Sequence, residues 1–521
     1  MARATKILRN FYRDSVSLMQ LSSTFAKLPG VEQASAIMAS ANNISLLKEA
    51  GLLGGTIEAG PNDLLIALQG QEEALDAAMA AAEAALNQNP PPGTGNGRSC
   101  VMAPRSIEMG LEDMVSANLV LISTPGEYAA AEAFKALSLG LNVMLFSDNV
   151  ELKDEIALKR FAQAHDLIVM GPDCGTAIIN GIPLAFANVV RRGDIGVVGA
   201  SGTGLQQVTC LIDRWGKGIS QAIGTGGHDL HRDVGGISML QGLKALAADP
   251  STSVIVLISK PPAPEVARRV LREAGQAGKP VVVNFLGADL ADIKGPNLYA
   301  VKTLEDAAVT AVALSDGRPP DSAAVNSAPA SAMPPFSPTQ RFVRGLYSGG
   351  TFCYEATLLF TEALGQVYSN TPVSPQDRLE DVWNSCKHTV VDLGDDLFTR
   401  GRPHPMIDHR LRNERLLKEA SDPEVAVILL DVVLGFGSHS DPASEMVPVI
   451  HKARDVAEKG GRHLVCVGFV CGTTSDPQNL SKQEAALRGA GVILTESNAQ
   501  AVRLAAQIVA RAGHCVGTCD D

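Results

Sequence analysis

Strand-length apolar runs, each followed by a stretch with helical spacing, recur along most of this chain. They begin at Ala117–Ser123 and continue at Asn142–Phe146, Leu167–Met170, Ile195–Gly199, Val254–Ile258 and Val281–Phe285. Beyond a Pro/Ala/Ser-rich stretch, Asp316–Pro338, strand candidates restart at Arg344–Tyr347, Val390–Leu393, Val425–Leu430, His463–Val467 and Val492–Thr495. A strand that is apolar along its whole length must be covered on both faces, and the intervening helices supply that cover. The rhythm therefore demands parallel sheets of the α/β class. Aromatic residues are only 4% of the chain while Gly and Ala abound, which suits close helix-to-sheet packing.

The first ninety residues read differently. Extended pieces at Lys6–Leu8, Val31–Met38 and Asp63–Leu68 alternate with helical patterns at Asp14–Leu28, Ile44–Ala50 and Glu72–Leu86. This order predicts a small α+β sandwich of ferredoxin-like type, joined to the remainder by the linker Asn87–Arg98 (NQNPPPGTGNGR). At 521 residues the chain holds several such domains.

Two turns carry the functional signal. In the first half a strand runs into Gly199–Gly204 (GASGTG) and a helix follows; in the second a strand runs into Ser348–Thr351 (SGGT) and a helix follows. A helix start exposes unpaired N–H groups, glycines let an anion approach the backbone, and hydroxyls add donors. Either turn alone could be a tight bend with an N-cap, but matching turns in matching positions point to a shared phosphate cleft. The candidate phosphate- or substrate-binding residues are Ser201, Gly202, Thr203, Gly226 and Gly227, with Ser348, Gly349, Gly350, Thr351, Gly394 and Asp395 from the second half. Lys260 ends a strand where α/β ligand sites form and could neutralise a phosphate; the alternative is a solvated lysine. The segment Asp392–His409 crowds charges, with Arg402 as an anion grip and His404 as a proton shuttle near neutral pH, unless it is simply a wet loop. Cys174, in GPDCG, reads as a buried thiol in preference to a nucleophile.

Other classes are excluded or disfavoured. A net charge of -12 argues against a nucleic-acid surface. No run of about 18 apolar residues suggests a membrane span, and the charged start lacks a signal-peptide core, so a cytoplasmic protein is expected. The nine cysteines lack CxxC pairs, which fits reduced thiols. No metal is expected; the grouping of His514, Cys515 and Cys519 lies on a terminal tail. Neither a P-loop nor an opening GxGxxG is present.

Ala117 to about Leu314 resembles the α subunit of succinyl-CoA synthetase, through GPDCGTAIINGIPLA at Gly171–Ala185, GDIGVVGASGTGLQQV at Gly193–Val208, AIGTGG at Ala222–Gly227 and KPVVVNFLGA at Lys279–Ala288. Gly345–Arg511 is more loosely similar to the ligase domain of the β subunit. FYRDSVSLM, VMLFSDNV, VMGPDCGT, PLAFANV and LGDDLFTRGRPHPMID resemble the FdrA family over nearly the whole length. The resemblance implies residues 1–90 as the ferredoxin-like domain, 100–192 as a CoA-binding-like Rossmann domain, and 193–318 and 341–521 as two flavodoxin-like ligase domains. The synthetases carry a phosphorylated histidine after the KPVVxFxxG strand. Here GADLADIKGPNLYAV holds none, and Lys260 stands where they have a glutamate. The Gly-rich CoA turn is not evident around Cys100–Met114, and the chain has no room for an ATP-grasp domain.

The FdrA resemblance implies a subunit of an oxamate carbamoyltransferase in anaerobic allantoin breakdown, acting with two partner subunits and itself able to form a homo-oligomer. Its ligands would be small anions: phosphate, carbamoyl phosphate, and oxamate or oxalurate. Lys260, Arg402 and His404 would be the catalytic residues. No cofactor is assigned, and CoA is the candidate the superfamily offers. The competing expectations are an acyl-CoA synthetase without the usual histidine, and a non-catalytic scaffold subunit.

Overall fold

The computed structural model describes residues 2–55, 57–88, 104–320, 336–400 and 402–514. The inter-domain linkers therefore lie largely, and Cys515 and Cys519 wholly, outside the described residues. The chain forms two compact units. One comprises Met1–Pro172 with Asp396–Asp408, the other Asp173–Asp395 with His409–Asp521. Among the described residues no helix is long and apolar enough to cross a membrane.

In the first unit β1 (Ala2–Leu8), β2 (Val31–Met38) and β3 (Leu64–Gly70) form an antiparallel sheet in the order β1-β3-β2. The central strand sends Leu64, Ile66 and Leu68 into a core with Phe25, Leu75 and Ala82. Its alternate residues, Leu65 and Ala67, pack on Leu47 and Leu52. The period of two thus gives one strand two cores, with helices on both faces. Inserting β3 antiparallel between two strands joined through a helix is the split arrangement of ferredoxin-like folds. A separate parallel sheet follows, β4 (Leu119–Ile122), β5 (Asn142–Leu145) and β6 (Val169–Met170) in that order.

The second unit holds two larger sheets. The seven-stranded one contains β7 (Thr176–Ile179), β8 (Ile182–Ala185), β9 (Arg192–Ala200), β10 (Ile219–Gly224), β11 (Val254–Ser259), β12 (Val281–Phe285) and β13 (Leu298–Ala300). Its order is β13-β12-β11-β9-β10-β7-β8, parallel from β13 to β10 and finished by the β7–β8 hairpin. The six-stranded sheet contains β14 (Phe342–Tyr347), β15 (Tyr368–Ser369), β16 (Thr389–Asp392), β17 (Val425–Val433), β18 (Val465–Cys471) and β19 (Val492–Thr495), all parallel in the order β15-β16-β14-β17-β18-β19. In the seven-stranded sheet the first parallel strand, β9, lies between β10 and β11; in the six-stranded one β14 lies between β16 and β17, with the short β15 outside β16. This is the flavodoxin-like order, whose switch point beside the first strand is where such sheets bind ligands. Every residue of β11, β17 and β18 is buried, as strands covered on both faces require.

The two sheets of this unit are tied through polar side chains. The Asp476 carboxylate accepts from Asn188 Nδ2 at 2.8 Å and from the Val189 backbone at 2.7 Å, and Arg214 Nε donates to the Gly472 carbonyl at 3.0 Å. These ties join the approach to β9 and the helix after it to the loop that follows β18.

Candidate functional site

The helix Gly202–Arg214 starts directly after β9, and the helix Gly350–Leu364 just after β14. Ser201 caps the first, accepting from Gly204 N at 2.9 Å, and its hydroxyl lies 2.7 Å from that of Thr351 on the second helix. The approach needs glycine: a Cβ on Gly349 would stand 3.0 Å from Thr203 Cγ2, and one on Gly204 would stand 2.4 Å from Ser201 Oγ. Two helix starts, each with first-turn N–H groups that no intrahelical carbonyl can satisfy, therefore meet head to head.

Lys260, exposed at the end of β11, reaches this junction. Its Nζ lies 3.5 Å from where a Cβ on Gly350 would sit, and Asp392 Oδ2 lies 2.6 Å from the same point. Asp392 ends β16 and is only 6% exposed; its Oδ1 accepts from Gly394 N at 2.9 Å, and Asn370 holds its backbone N–H and carbonyl. Burial pushes its carboxyl up to about 6, against the opposing pull of Lys260, with Asp395 and Asp431 adding to the rise. Cys353, one turn into the second helix, is also buried, and burial together with the nearby Asp392 charge raises its thiol far above the ordinary range.

Ser348 and Gly349 have a different task from the one their sequence suggests. The buried Asp431 carboxylate accepts from Ser348 N at 2.8 Å, Ser348 Oγ at 2.8 Å and Gly349 N at 2.9 Å. It is itself paired with buried Arg412 at 2.9 Å. These two residues fix the turn, their donors engaged by Asp431, and the helix itself starts at Gly350 and Thr351. The turn after β10 lies beside the first helix start, with Thr225 N donating to the Gly199 carbonyl at 2.9 Å. Gly226 there adopts a left-handed backbone (φ +85°), and Gly227 is exposed.

The second unit thus brings Ser201, Gly202, Thr203, Lys260, Gly350, Thr351, Gly394 and Asp395 around one junction, with the Gly226–Gly227 turn alongside. Arg402 and His404 lie outside this unit. Both belong to Asp396–Asp408, which clusters with the other unit, where Arg402 is exposed and His404 Nδ1 accepts from Met406 N at 3.2 Å. Cys174 is a buried thiol, its Sγ 3.5 Å from the Gly224 carbonyl. Among the described residues no group of His, Cys, Asp and Glu is arranged to hold a metal ion. Two residues escaped the sequence reading as site candidates. Asp392 carried a visible signal, an acid at the end of a parallel strand. Asp431 carried another, a lone acid inside the apolar run VAVILLDVV.

Over 507 residues the chain is 44% identical to the uncharacterized protein YahF of Escherichia coli, spanning 96% of this chain and 98% of that one. The CoA-ligase family matches residues 346–508, the CoA binding domain residues 190–287, and the "AllF, heavy metal-associated domain" residues 1–100. The chain belongs to a succinyl-CoA synthetase-like family that includes YahF. More distant members of the superfamily match only in part. The ADP-forming sulfoacetate-CoA ligase subunit SauD of Bilophila wadsworthia is 28% identical over 30% of this chain and 54% of its own length. The α subunit of the ADP-forming succinate–CoA ligase of Aquifex aeolicus is 27% identical over 28% of this chain and 48% of its own. The chain spans about half the length of these two ligase subunits. The fold is that of the CoA ligases: α/β with several parallel sheets, preceded by a small α+β domain.

Proposed function

We propose that this chain is a subunit of a carbamoyltransferase of FdrA type, which interconverts oxalurate and phosphate with oxamate and carbamoyl phosphate. The observation that carries the reading is the 2.7 Å meeting of Ser201 and Thr351 hydroxyls at two opposed helix starts, with Lys260 beside them. That junction suits a phosphate: two sets of backbone donors, two hydroxyls and one mobile cation converge on a small volume. The departures from the ligase pattern support transfer over ATP-driven ligation. The stretch Gly287–Val301 holds no histidine to carry a phosphoryl group, and Lys260 replaces the carboxylate that would cradle one.

In this reading the helix starts hold the phosphate, or the phosphate end of carbamoyl phosphate. Lys260 and the N–H groups of Gly350 and Thr351 stabilise the charge that grows on the phosphate oxygen as it leaves the carbamoyl carbon. Donors preset at the position of developing charge are the largest usual source of rate enhancement. Arg402 and His404, which belong to the other compact unit, are assigned to the oxamate side, and their own variants test that role. Two partner subunits complete the enzyme.

The second reading is acyl-CoA ligation, favoured by the CoA-ligase and CoA-binding matches. CoA would enter that reaction as a substrate. The two are separated by assaying oxamate-dependent loss of carbamoyl phosphate with CoA and ATP omitted and then restored. Lys260→Ala is expected to abolish turnover while leaving the melting temperature unchanged. A fully active Lys260→Ala protein would remove the role given to this lysine.

A further inference from the structure

The junction contains a buried group that opposes an anion at the second helix start. The Asp392 side chain is buried at the end of β16, with Oδ1 fixed by Gly394 N at 2.9 Å. Its Oδ2 faces Gly350, the first residue of the second helix, 2.6 Å from where a Cβ would be. A phosphate drawn to the N–H groups of Gly350 and Thr351 must settle against that oxygen. Two negative groups in contact in a buried setting repel strongly, and a proton shared between them removes the conflict.

We propose that the site takes up its anion together with one proton, which resides on Asp392, so that this side chain donates a hydrogen bond to the ligand instead of repelling it. The proposal rests on the phosphate reading of the junction and adds its charge rule: the bound state is anion plus carboxylic acid. Every element around Asp392 is consistent with it. From β11, Lys260 favours the ionised form, which keeps the empty site soluble and charged at neutral pH. From the second helix, Cys353 is a neutral thiol. From β17, Asp431 is negative but engaged by Arg412, Ser348 and Gly349. On its own turn, Asp395 adds a further negative charge. Burial has already moved Asp392 to about 6, and a dianion in contact with it raises it well past neutrality, so that the group stays protonated while the ligand is bound.

The consequence is a pH dependence of binding that comes from the protein and not from the ligand. Sulfate is the informative probe, because it has the shape of phosphate but does not titrate near neutrality. Calorimetric titration of sulfate into the full chain should show affinity falling about tenfold for each pH unit above about 7. At pH 7.5 the apparent heat should vary with the buffer's ionisation heat, reporting uptake of close to one proton. Asp392→Asn, which keeps the shape and the Gly394 contact, should bind sulfate with nearly constant affinity from pH 6.5 to 8.5. Phosphate should follow the same pattern after correction for its own titration. Sulfate binding by the wild-type chain with neither pH dependence nor proton uptake would overturn the proposal and leave the phosphate reading standing. So would an Asp392→Asn variant that keeps the wild-type slope. Failure of both anions to bind at any pH would overturn the phosphate reading itself, and the proposal with it. The wild-type buffer series decides the matter even if the variant does not fold.

Discussion

Replacing Asp431 with alanine tests how the second helix start is held. In the wild type this fully buried carboxylate satisfies the Ser348 N–H and hydroxyl, the Gly349 N–H and the Arg412 guanidinium, at 2.8 to 2.9 Å. Removing it leaves a buried arginine without its counter-charge, which costs about 3–5 kcal/mol. The orphaned turn donors add to this. For a sheet domain of this size the loss corresponds to a fall in melting temperature on the order of 10 °C. Because the turn aims Gly350 and Thr351, sulfate affinity should also fall at least tenfold at temperatures where the variant is folded. The paired substitution Arg412→Met with Asp431→Leu removes both charges at similar volume. It should recover most of the lost stability, since uncharged packing commonly replaces a buried ion pair at little cost. It should not recover sulfate binding. Scanning calorimetry and sulfate titration read both effects. An Asp431→Ala protein that melts within about 1 °C of wild type, or a double variant no more stable than the single, would refute the reasoning.

Gly350→Ala places a methyl 2.6 Å from Asp392 Oδ2 and 3.5 Å from Lys260 Nζ; overpacking of about 1–3 kcal/mol and a sulfate affinity at least tenfold weaker are expected by calorimetry. Ser201→Ala loses the cap on Gly204 N, which should cost about 1 kcal/mol in thermal or urea unfolding and weaken anion binding as well. Glu355, buried between the Leu304 N–H and Asn498, is pushed up to about 7 from an ordinary 4.5, with burial the main cause. Its folded form holds the proton longer than the unfolded form. Stability should therefore be full below about pH 4.5 and decline up to about pH 7, by on the order of 3 kcal/mol, and Glu355→Gln should flatten that decline in urea unfolding across the range. Gly224→Ala would drive a methyl to 2.4 Å from the Thr176 carbonyl and 2.6 Å from Cys174 Sγ; it should yield less soluble protein with a lower melting temperature, while Cys174→Ala should leave anion binding unchanged.

Much of the fold was legible because its central strands are apolar along their whole length. Val281–Phe285 and Val492–Thr495 have the bounds the hydropathy pattern gives. What escaped is what hydropathy does not mark. Strand β10 reads ISQAIG, and its polar residues are satisfied within the structure: Ser220 bonds Thr252 at 2.7 Å, and Gln221 bonds Asn180 at 2.9 Å. The β7–β8 hairpin was signalled by Asn180–Gly181, both with left-handed backbones, a pair that turns tightly between antiparallel strands; a reading tuned to parallel strands passes over it. At the site, the paired turns and Lys260 were readable because helix starts and strand ends sit at fixed places in this topology. Arg402 and His404 were chosen for their chemistry, an anion grip and a proton shuttle in a charged segment, and sequence alone did not show that the chain passes into the other compact unit after Asp395. Asp431 acts on a turn some eighty residues away in sequence, a pairing that only the folded sheet order reveals.

The most direct test of the central claim is oxamate-dependent consumption of carbamoyl phosphate by this chain purified with the proteins that accompany it, with CoA and ATP omitted. Turnover that needs this chain, disappears in Lys260→Ala and is unaffected by adding CoA is the predicted result. A complete complex that leaves carbamoyl phosphate untouched yet forms an acyl-CoA when CoA and ATP are supplied would contradict it.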